Sequence, residues 1–456
     1  MHTCESVSHR LQRPADAPAR LEVHNVAILA PVHSGPGRWA ARRFAIEQRL
    51  FGFGFGRSGA VRAWYRRYDW LQTRERLGTA GALRAVIKGP ARVARGAWRA
   101  VAMHGPAVKA LHGTSLWSQR LQITWLGLRH GLDAESYYRF WLFRPERRRR
   151  ADKYIQQHEA GLIYRVLAVR EAMDDFYLTH DKRRFERWCH EQAIPTVPVL
   201  AEFDDGALVP ESLSAPLPAE DLFSKPIDSY GGEGARRWMY SGSSVWRATD
   251  GESYTPSALL DALAAQSRGG GVMLQRCVEN DPAVAHLSSG ALCTARIVTI
   301  RPPDGEPELV CAVYRMATGG HSTDNFSIAG LAAAVDLETG RLGPAVRSDP
   351  RVIVAPVTEH PDTGATIAGT LLPGWQDAKA LALTAHRRLP AIACVGWDVA
   401  LTPEGPMLIE SNYAPGARLA QAPSGIPLGD TNFMCYLDAH MRRSFERTVP
   451  SSESRT

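Results

Sequence analysis

Three oxygen-bearing side chains near the C-terminus are spaced as a metal or phosphate site would need them. The segment GWDVALTPEGPMLIESNYAPG (396–416) reads as two strands joined at Thr402-Pro403-Glu404-Gly405. A hairpin centred on Glu404 sets Asp398 opposite Glu410, and Asn412, two residues on, shares the face of Glu410. Two facing carboxylates repel each other unless one takes up a proton or a cation sits between them. With an amide oxygen added, the set is all oxygen and suits Mg²⁺ and the phosphates it carries. A surface hairpin with incidental acids is the plainer reading of the same letters.

Earlier in the chain, SKPIDSYGGEGARR (224–237) places Lys225 six residues before Gly231, Gly232 and Gly234. A lysine beside glycines points to phosphate, but a Walker loop has the reverse order. Glycines let backbone N–H groups approach phosphate oxygens, and a mobile loop can exclude water. The competing reading is a surface turn with a lysine nearby. Arg296, in CTARIVTIR (293–301), falls on an expected central strand, where a buried guanidinium needs an anion. Arg315 and Asn325, in YRMATGGHSTDNFSIAGL (314–331), read as polar lining on an acceptor side. His321 and His360 are further acceptor candidates, although a lone histidine is more often structural.

Taken in order, these motifs resemble the ATP-grasp superfamily, in which an Asp on one strand and E-x-N on the next hold Mg²⁺. ESNYAPG (410–416) is similar to the E-x-N-x-x-P-G of D-alanine–D-alanine ligases. ACVGWDVA (393–400) and HPDTG (360–364) look closer to the sugar-transfer-associated ATP-grasp proteins, known mainly from polysaccharide gene clusters. The resemblance covers roughly residues 130–440 and implies ATP and Mg²⁺ as cofactors, the ion held by Asp398, Glu410 and Asn412. It makes Lys225 a contact to the α/β-phosphates, and Gly231, Gly232 and Gly234 a loop that folds over the nucleotide. Lys182, in THDKRRFERWCHEQAIPTVP (179–198), becomes a second phosphate contact. MLQRCV (273–278) takes the hinge position at the adenine, with Gln275, Cys277 and Val278 as its wall and Glu279 reaching the ribose. Arg296 faces the terminal phosphate, so Arg296, Lys225 and Arg315 are the expected catalytic residues, and Asn325 stands with the nucleotide contacts. One departure is Gly396, where D-alanine–D-alanine ligases carry an arginine two residues before the metal-binding Asp. Positive charge must then come from Arg296 or Arg315.

The implied reaction is ATP-dependent ligation of a carboxylate to an amine or similar nucleophile through an acyl phosphate. The acceptor is a small molecule or a saccharide, and the products are ADP and phosphate. A kinase acting on a sugar hydroxyl would need the same nucleotide site, and a nucleotide-binding scaffold without turnover is a third reading.

The elements that must position these groups indicate an α+β protein. The expectation is a two-lobed ATP-grasp fold with mostly antiparallel sheets, preceded by a helical, basic N-terminal region. Residues 1–150 form that region, 151–275 the first lobe with the glycine loop, 276–445 the second lobe with the metal site, and 446–456 a disordered tail. Helices are expected from Tyr154 to about Met173, over 181–192, and after the Thr255-Pro256 cap; strands over 272–278, 291–301 and 308–316. Residues 1–150 hold 27 basic and 9 acidic residues, net +18; the remainder holds 27 and 38, net −11. Seven of the twelve tryptophans lie in the basic part. Arginine interleaved with tryptophan suits an anionic membrane surface or, less well, RNA; solvated charges, or docking on the acidic half, are the alternatives. Arg84, Lys88, Arg92, Arg95 and Arg99 fall along one helix side, Pro90 is expected to kink or break that helix, and Arg147–Arg150 reads as a boundary. Seven scattered cysteines without a C-x-x-C pair point to reduced thiols in the cytoplasm, with peripheral attachment to the inner membrane face as an option.

Overall fold

A computed structural model describes residues 59–448, apart from 168–177, 214, 230–231, 249–250, 321–322, 325, 327–329 and 349–354. Gly231, His321 and Asn325 lie outside the described residues, as do the Gly–Phe alternation at 51–56 and residues 449–456. The chain enters through α1 (Gly59–His112) and α2 (Leu116–His130), followed by α3 (Ala134–Arg139) and α4 (Pro145–Arg148). The interruption of α1 lies at Gly78, φ 68°, while Pro90, expected to kink or break the helix, sits inside it with Pro106. A helix absorbs a proline by bending, whereas a left-handed residue interrupts it, and glycine takes that conformation at least cost. Ser115 caps α2 by accepting from the Ser118 N–H, and Gly131 ends it with φ 68°. Gly127 lets α2 approach α1 closely: a Cβ there would lie 2.5 Å from Val93 Cγ1.

After α5 (Gln157–Leu167) comes α6 (Lys182–Glu191), whose N-cap Asp181 accepts from the N–H groups of Arg183 and Arg184. The first sheet follows as β1 (Val199–Asp204), β2 (Ala207–Leu208), β3 (Leu222–Pro226), β4 (Arg236–Tyr240), β5 (Trp246–Ala248) and β6 (Ser253–Tyr254). It is completed beyond α7 (Pro256–Gln266) by β7 (Val272–Arg276). Its order is β2-β1-β7-β3-β4-β5-β6, antiparallel throughout. Thr255 caps α7 with Pro256 in the first turn, as its letters indicate.

The second sheet starts beyond α8 (Pro282–Ala285) with β8 (Thr294–Ile300), β9 (Glu308–Met316), β10 (Leu331–Val335) and β11 (Leu342–Arg347). After α9 (Trp375–Arg387) it closes with β12 (Cys394–Thr402) and β13 (Gly405–Asn412). Its order is β11-β10-β9-β8-β12-β13, again antiparallel. β8 and β12 are buried along their whole length, although they carry Arg296 and Asp398. Ala295, Ile297, Tyr314, Trp397 and Val399 pack on α9 from one face. The chain ends with α10 (Ala417–Gln421) and α11 (Asn432–Thr448), which runs three residues into the expected tail.

Residues 147–150 are not a linker. Arg148 donates to the carbonyls of Leu142 and Phe143 and to Gln122 Oε1, and Arg150 and Lys153 pair with Asp430. Tyr154 Oη donates to the Gly425 carbonyl at 2.6 Å, and Gln421 bonds both the N–H and the carbonyl of Ile155. Tyr137, Tyr138, Phe140 and Trp141 share a buried cluster with Val313, Ala332 and Val346. The helical N-terminal part therefore packs on the second sheet, on the face that also carries Arg296 and Arg315.

Candidate active site

Between the two sheets lies a cleft of about 700 Å³. From the second sheet Arg296, Arg315, Asp398 and Glu410 face it; from the first come Lys225, Arg237 and Met239. The hairpin reaches the expected pairing by an unexpected route. Its turn is two residues, Pro403-Glu404, with Thr402 opposite Gly405; a one-residue irregularity at Ile409 then restores Asp398 to Glu410. A bulge adds a residue to one strand and re-aims the side chain beside it, here Glu410. Asn412 lies opposite Gly396 and donates to Glu410 Oε1 at 3.3 Å.

Asp398 is also the cross-strand neighbour of Arg296, and the two form a buried fork: Nε to Oδ1, and Nη2 to Oδ2 at 3.0 Å. Arg315 Nη2 reaches the same Oδ2 at 3.0 Å and Asp324 at 3.3 Å. Thr294 ties the group together, accepting from Arg315 and donating to Asp324 at 2.5 Å. Burial pushes the Asp398 carboxyl up, but Arg296 and Arg315 outweigh it and hold it at about 2. For Arg315, burial is likewise overcome by Asp324 and Asp398, which raise it above its ordinary range. Burial raises Asp324 despite Arg315.

This arrangement recasts Asp398. The cations beside it are guanidinium groups, and Oδ2 already accepts from two of them. Glu410 accepts weakly from Asn412, lies in hydrogen-bond reach of Asp398, and faces the charges of Lys225, Lys182 and Arg315. An oxygen-only set of this kind fits Mg²⁺, with Glu410 and Asn412 the available donors and Asp398 a clamp that adds at most one. Among the described residues no three His, Cys, Asp or Glu side chains form a metal cluster of their own.

Gly396 also finds its reason. A Cβ there would lie 2.5 Å from Pro415 Cβ and 3.0 Å from Arg296 Cδ. Arg296 occupies the space from the neighbouring strand and donates to the Pro415 carbonyl at 3.3 Å.

On the opposite wall, the Lys225 side chain has no hydrogen bond or ion pair among the described residues. Burial pulls its ammonium down to about 8 against the pull of Glu410, and Lys182 pushes the same way as burial. Lys182 lines the cleft too, but its Nζ donates to the carbonyls of Ser229 (2.6 Å) and Ile227 (3.3 Å), so it braces the base of the glycine loop. Gly232 and Gly234 take φ of 77° and 76°. A Cβ on Gly232 would lie 2.8 Å from Thr323 Oγ1, so the loop reaches the second lobe.

At the hinge, Gln275, Cys277 and Val278 line the cleft. The Gln275 amide is committed elsewhere, donating to the Val197 carbonyl at 2.7 Å. Burial raises the Cys277 thiol, as suits a wall rather than a nucleophile. Glu279 lies past the end of β7, is exposed and is not among the cleft's lining residues. His360 also leaves the site. It is buried, its Nδ1 accepts from the Asp362 N–H, and its Nε2 therefore donates to the Ala317 carbonyl at 2.8 Å.

Several lining residues escape a reading of the sequence. Arg237 is held by Asp221 at 2.8 Å and His180 stacks on Tyr413 at 4.9 Å. Arg418, on α10, lies over the Phe326 ring at 5.0 Å and has no acidic partner among the described residues. Burial, then Arg139 nearby, lowers it to about 10. Only its place two residues after the conspicuous Pro-Gly hinted at it.

Comparison with known proteins gives one family model, described as sugar-transfer associated ATP-grasp, matching residues 170–431. No curated protein matches. Among solved structures, an N5-carboxyaminoimidazole ribonucleotide synthetase in an ADP complex is 12% identical with a TM-score of 0.31, covering 52% of this chain and 46% of that one. A D-alanyl-alanine synthetase A from Vibrio cholerae is 13% identical at 0.33, covering 59% and 66%. An L-amino acid ligase from Bacillus licheniformis is 11% identical at 0.34, covering 60% and 52%. The chain spans less than two thirds of each of these three.

Proposed function

Because the chain belongs to the sugar-transfer associated ATP-grasp family, we propose that it is an ATP-dependent ligase acting on a carboxylate. In this reading a carboxylate oxygen attacks the γ-phosphorus and ADP leaves. An amine or similar nucleophile then attacks the acyl carbon, loses a proton and displaces phosphate. Bound Mg²⁺ neutralises phosphate charge, and Glu410 and Asn412 are the residues that would hold it. Lys225 meets the phosphates from the first lobe. Arg296 and Arg315, fixed by Asp398 and Asp324, present their remaining N–H groups to the oxygens on which charge develops. Closure of the Gly232–Gly234 loop against Thr323 keeps water from the acyl phosphate.

The observation that carries a carboxylate acceptor is Arg418, a cation with no acidic partner among the described residues, lining the same cleft. A hydroxyl acceptor would not require it, and an anion does. A saccharide bearing a carboxyl group is the acceptor most in keeping with the family's description. The test is incubation with ATP·Mg²⁺ and a pool of amino acids and sugar acids, followed by mass spectrometry. ADP, phosphate and a condensed product are expected. AMP with pyrophosphate, or a product heavier only by phosphate, overturns the proposal. Arg418→Met should raise KM for the carboxylate about tenfold or more, the worth of one charge-assisted contact, with kcat little changed.

A further inference from the structure

We infer that the solvent side of the α1–α2 pair is a docking surface for an anionic membrane. Nine of the thirteen exposed large apolar side chains among the described residues sit on these two helices. Trp117, Leu121 and Trp125, at four-residue steps, form one stripe along α2 and are 64%, 68% and 55% exposed. Trp98 of α1 meets Trp117 edge to face at 5.8 Å, which joins the stripe to α1, where Leu83 and Ile87 are also open. From Arg76 to Leu132, both included, the chain has nine lysines and arginines and no acid. Arg84, Lys88, Arg95 and Arg99 are exposed, and Arg120 lies 3.7 Å over the Trp98 ring.

Apolar and aromatic groups ringed by cations and free of acids match the two attractions of a membrane face. Indole and aliphatic groups enter the headgroup boundary, and basic groups meet anionic lipid. Three other occupants fit less well. A second copy would set one basic face against another. Residues 1–58 hold eight basic and four acidic residues, so they too are positive. RNA would use the tryptophans and arginines but leave Leu83, Ile87 and Leu121 in water. No helix among the described residues is long and apolar enough to cross a bilayer. The opposite side of the pair shares a buried cluster with Val313, Ala332 and Val346 of the second sheet.

The test uses the full chain with vesicles of phosphatidylcholine alone or mixed with phosphatidylglycerol, some with brominated acyl chains. Expected are co-sedimentation with the anionic vesicles only, weakening as salt rises, and quenching of tryptophan fluorescence by brominated lipid. The triple variant W117S/L121S/W125S should lose tenfold or more in vesicle affinity, while the rise in melting temperature on adding ATP is unchanged. R95E/R99E should lose binding to a similar degree. No sedimentation at low salt, or full binding by the triple variant, overturns the inference. A dimer dissolved by the triple variant, or RNA binding in place of vesicle binding, overturns it in favour of those partners.

Discussion

Asp398→Asn should act first on the fold and only then on catalysis. The carboxylate is nearly fully buried and balances Arg296 and Arg315 through contacts at 3.0 Å. Removing one partner of a buried pair costs about 3–5 kcal/mol, because the remaining charge stays buried. Asparagine keeps the shape and one acceptor, so the lower end, about 3 kcal/mol, applies. If the second lobe unfolds as one unit, that is a fall in melting temperature of about 6 °C or more. Glu410→Gln is the control: the amide keeps an acceptor for Asn412 and gains a donor toward Asp398, so its melting temperature should move by less than about 2 °C. Scanning calorimetry of both variants at pH 7 reads this out. The same carboxyl sets an acid limb. Its folded value of about 2 lies below the ordinary 3.8, so its contribution is complete above pH 3.8 and is lost as pH falls through 2. That contribution is roughly 2 kcal/mol, and Asp398→Asn should lack it. Equal melting temperatures for the two variants would refute the clamp and return Asp398 to the role of a simple metal ligand.

ATP affinity should fall about tenfold between pH 7 and pH 9 as the Lys225 ammonium, at about 8, gives up its proton; calorimetric titration of Lys225→Met should show that dependence gone. Gly232→Ala should raise KM for ATP severalfold at nearly constant melting temperature, because φ 77° and the 2.8 Å approach to Thr323 both oppose a side chain. Adding Thr323→Ala should recover part of that loss. Tyr154→Phe leaves the Gly425 carbonyl without its partner and should cost about 1–2 kcal/mol in denaturant unfolding.

Much of the site is legible because its signals are local. Lysine before glycines, a cap before α7, and an acid, a turn and E-x-N each occupy one short stretch. The Asp398–Glu410 pairing follows from symmetry about Glu404, although the chain achieves it with a tighter turn and a bulge that cancel. What the letters hide is set by sheet register. Thr294, Asp324 and Arg315 come together because β8 lies beside β9, and Arg296 meets Asp398 because β8 lies beside β12. No spacing along the chain encodes that. Pro90 and Arg147–Arg150 mislead in the opposite sense, since a breaker and a charge run mark an end only where tertiary contacts do not absorb them.

The helices before residue 150 have a practical bearing on how the molecule can be divided. The matched family region begins at residue 170, yet Val313, Phe326, Ala332 and Val346 are sealed by Tyr137, Phe140 and Trp141. Phe326 is also the ring on which Arg418 rests. A fragment begun at the family boundary would therefore expose its own interior, including the ring beneath Arg418. The smallest piece able to stand alone is larger than the piece that carries the chemistry.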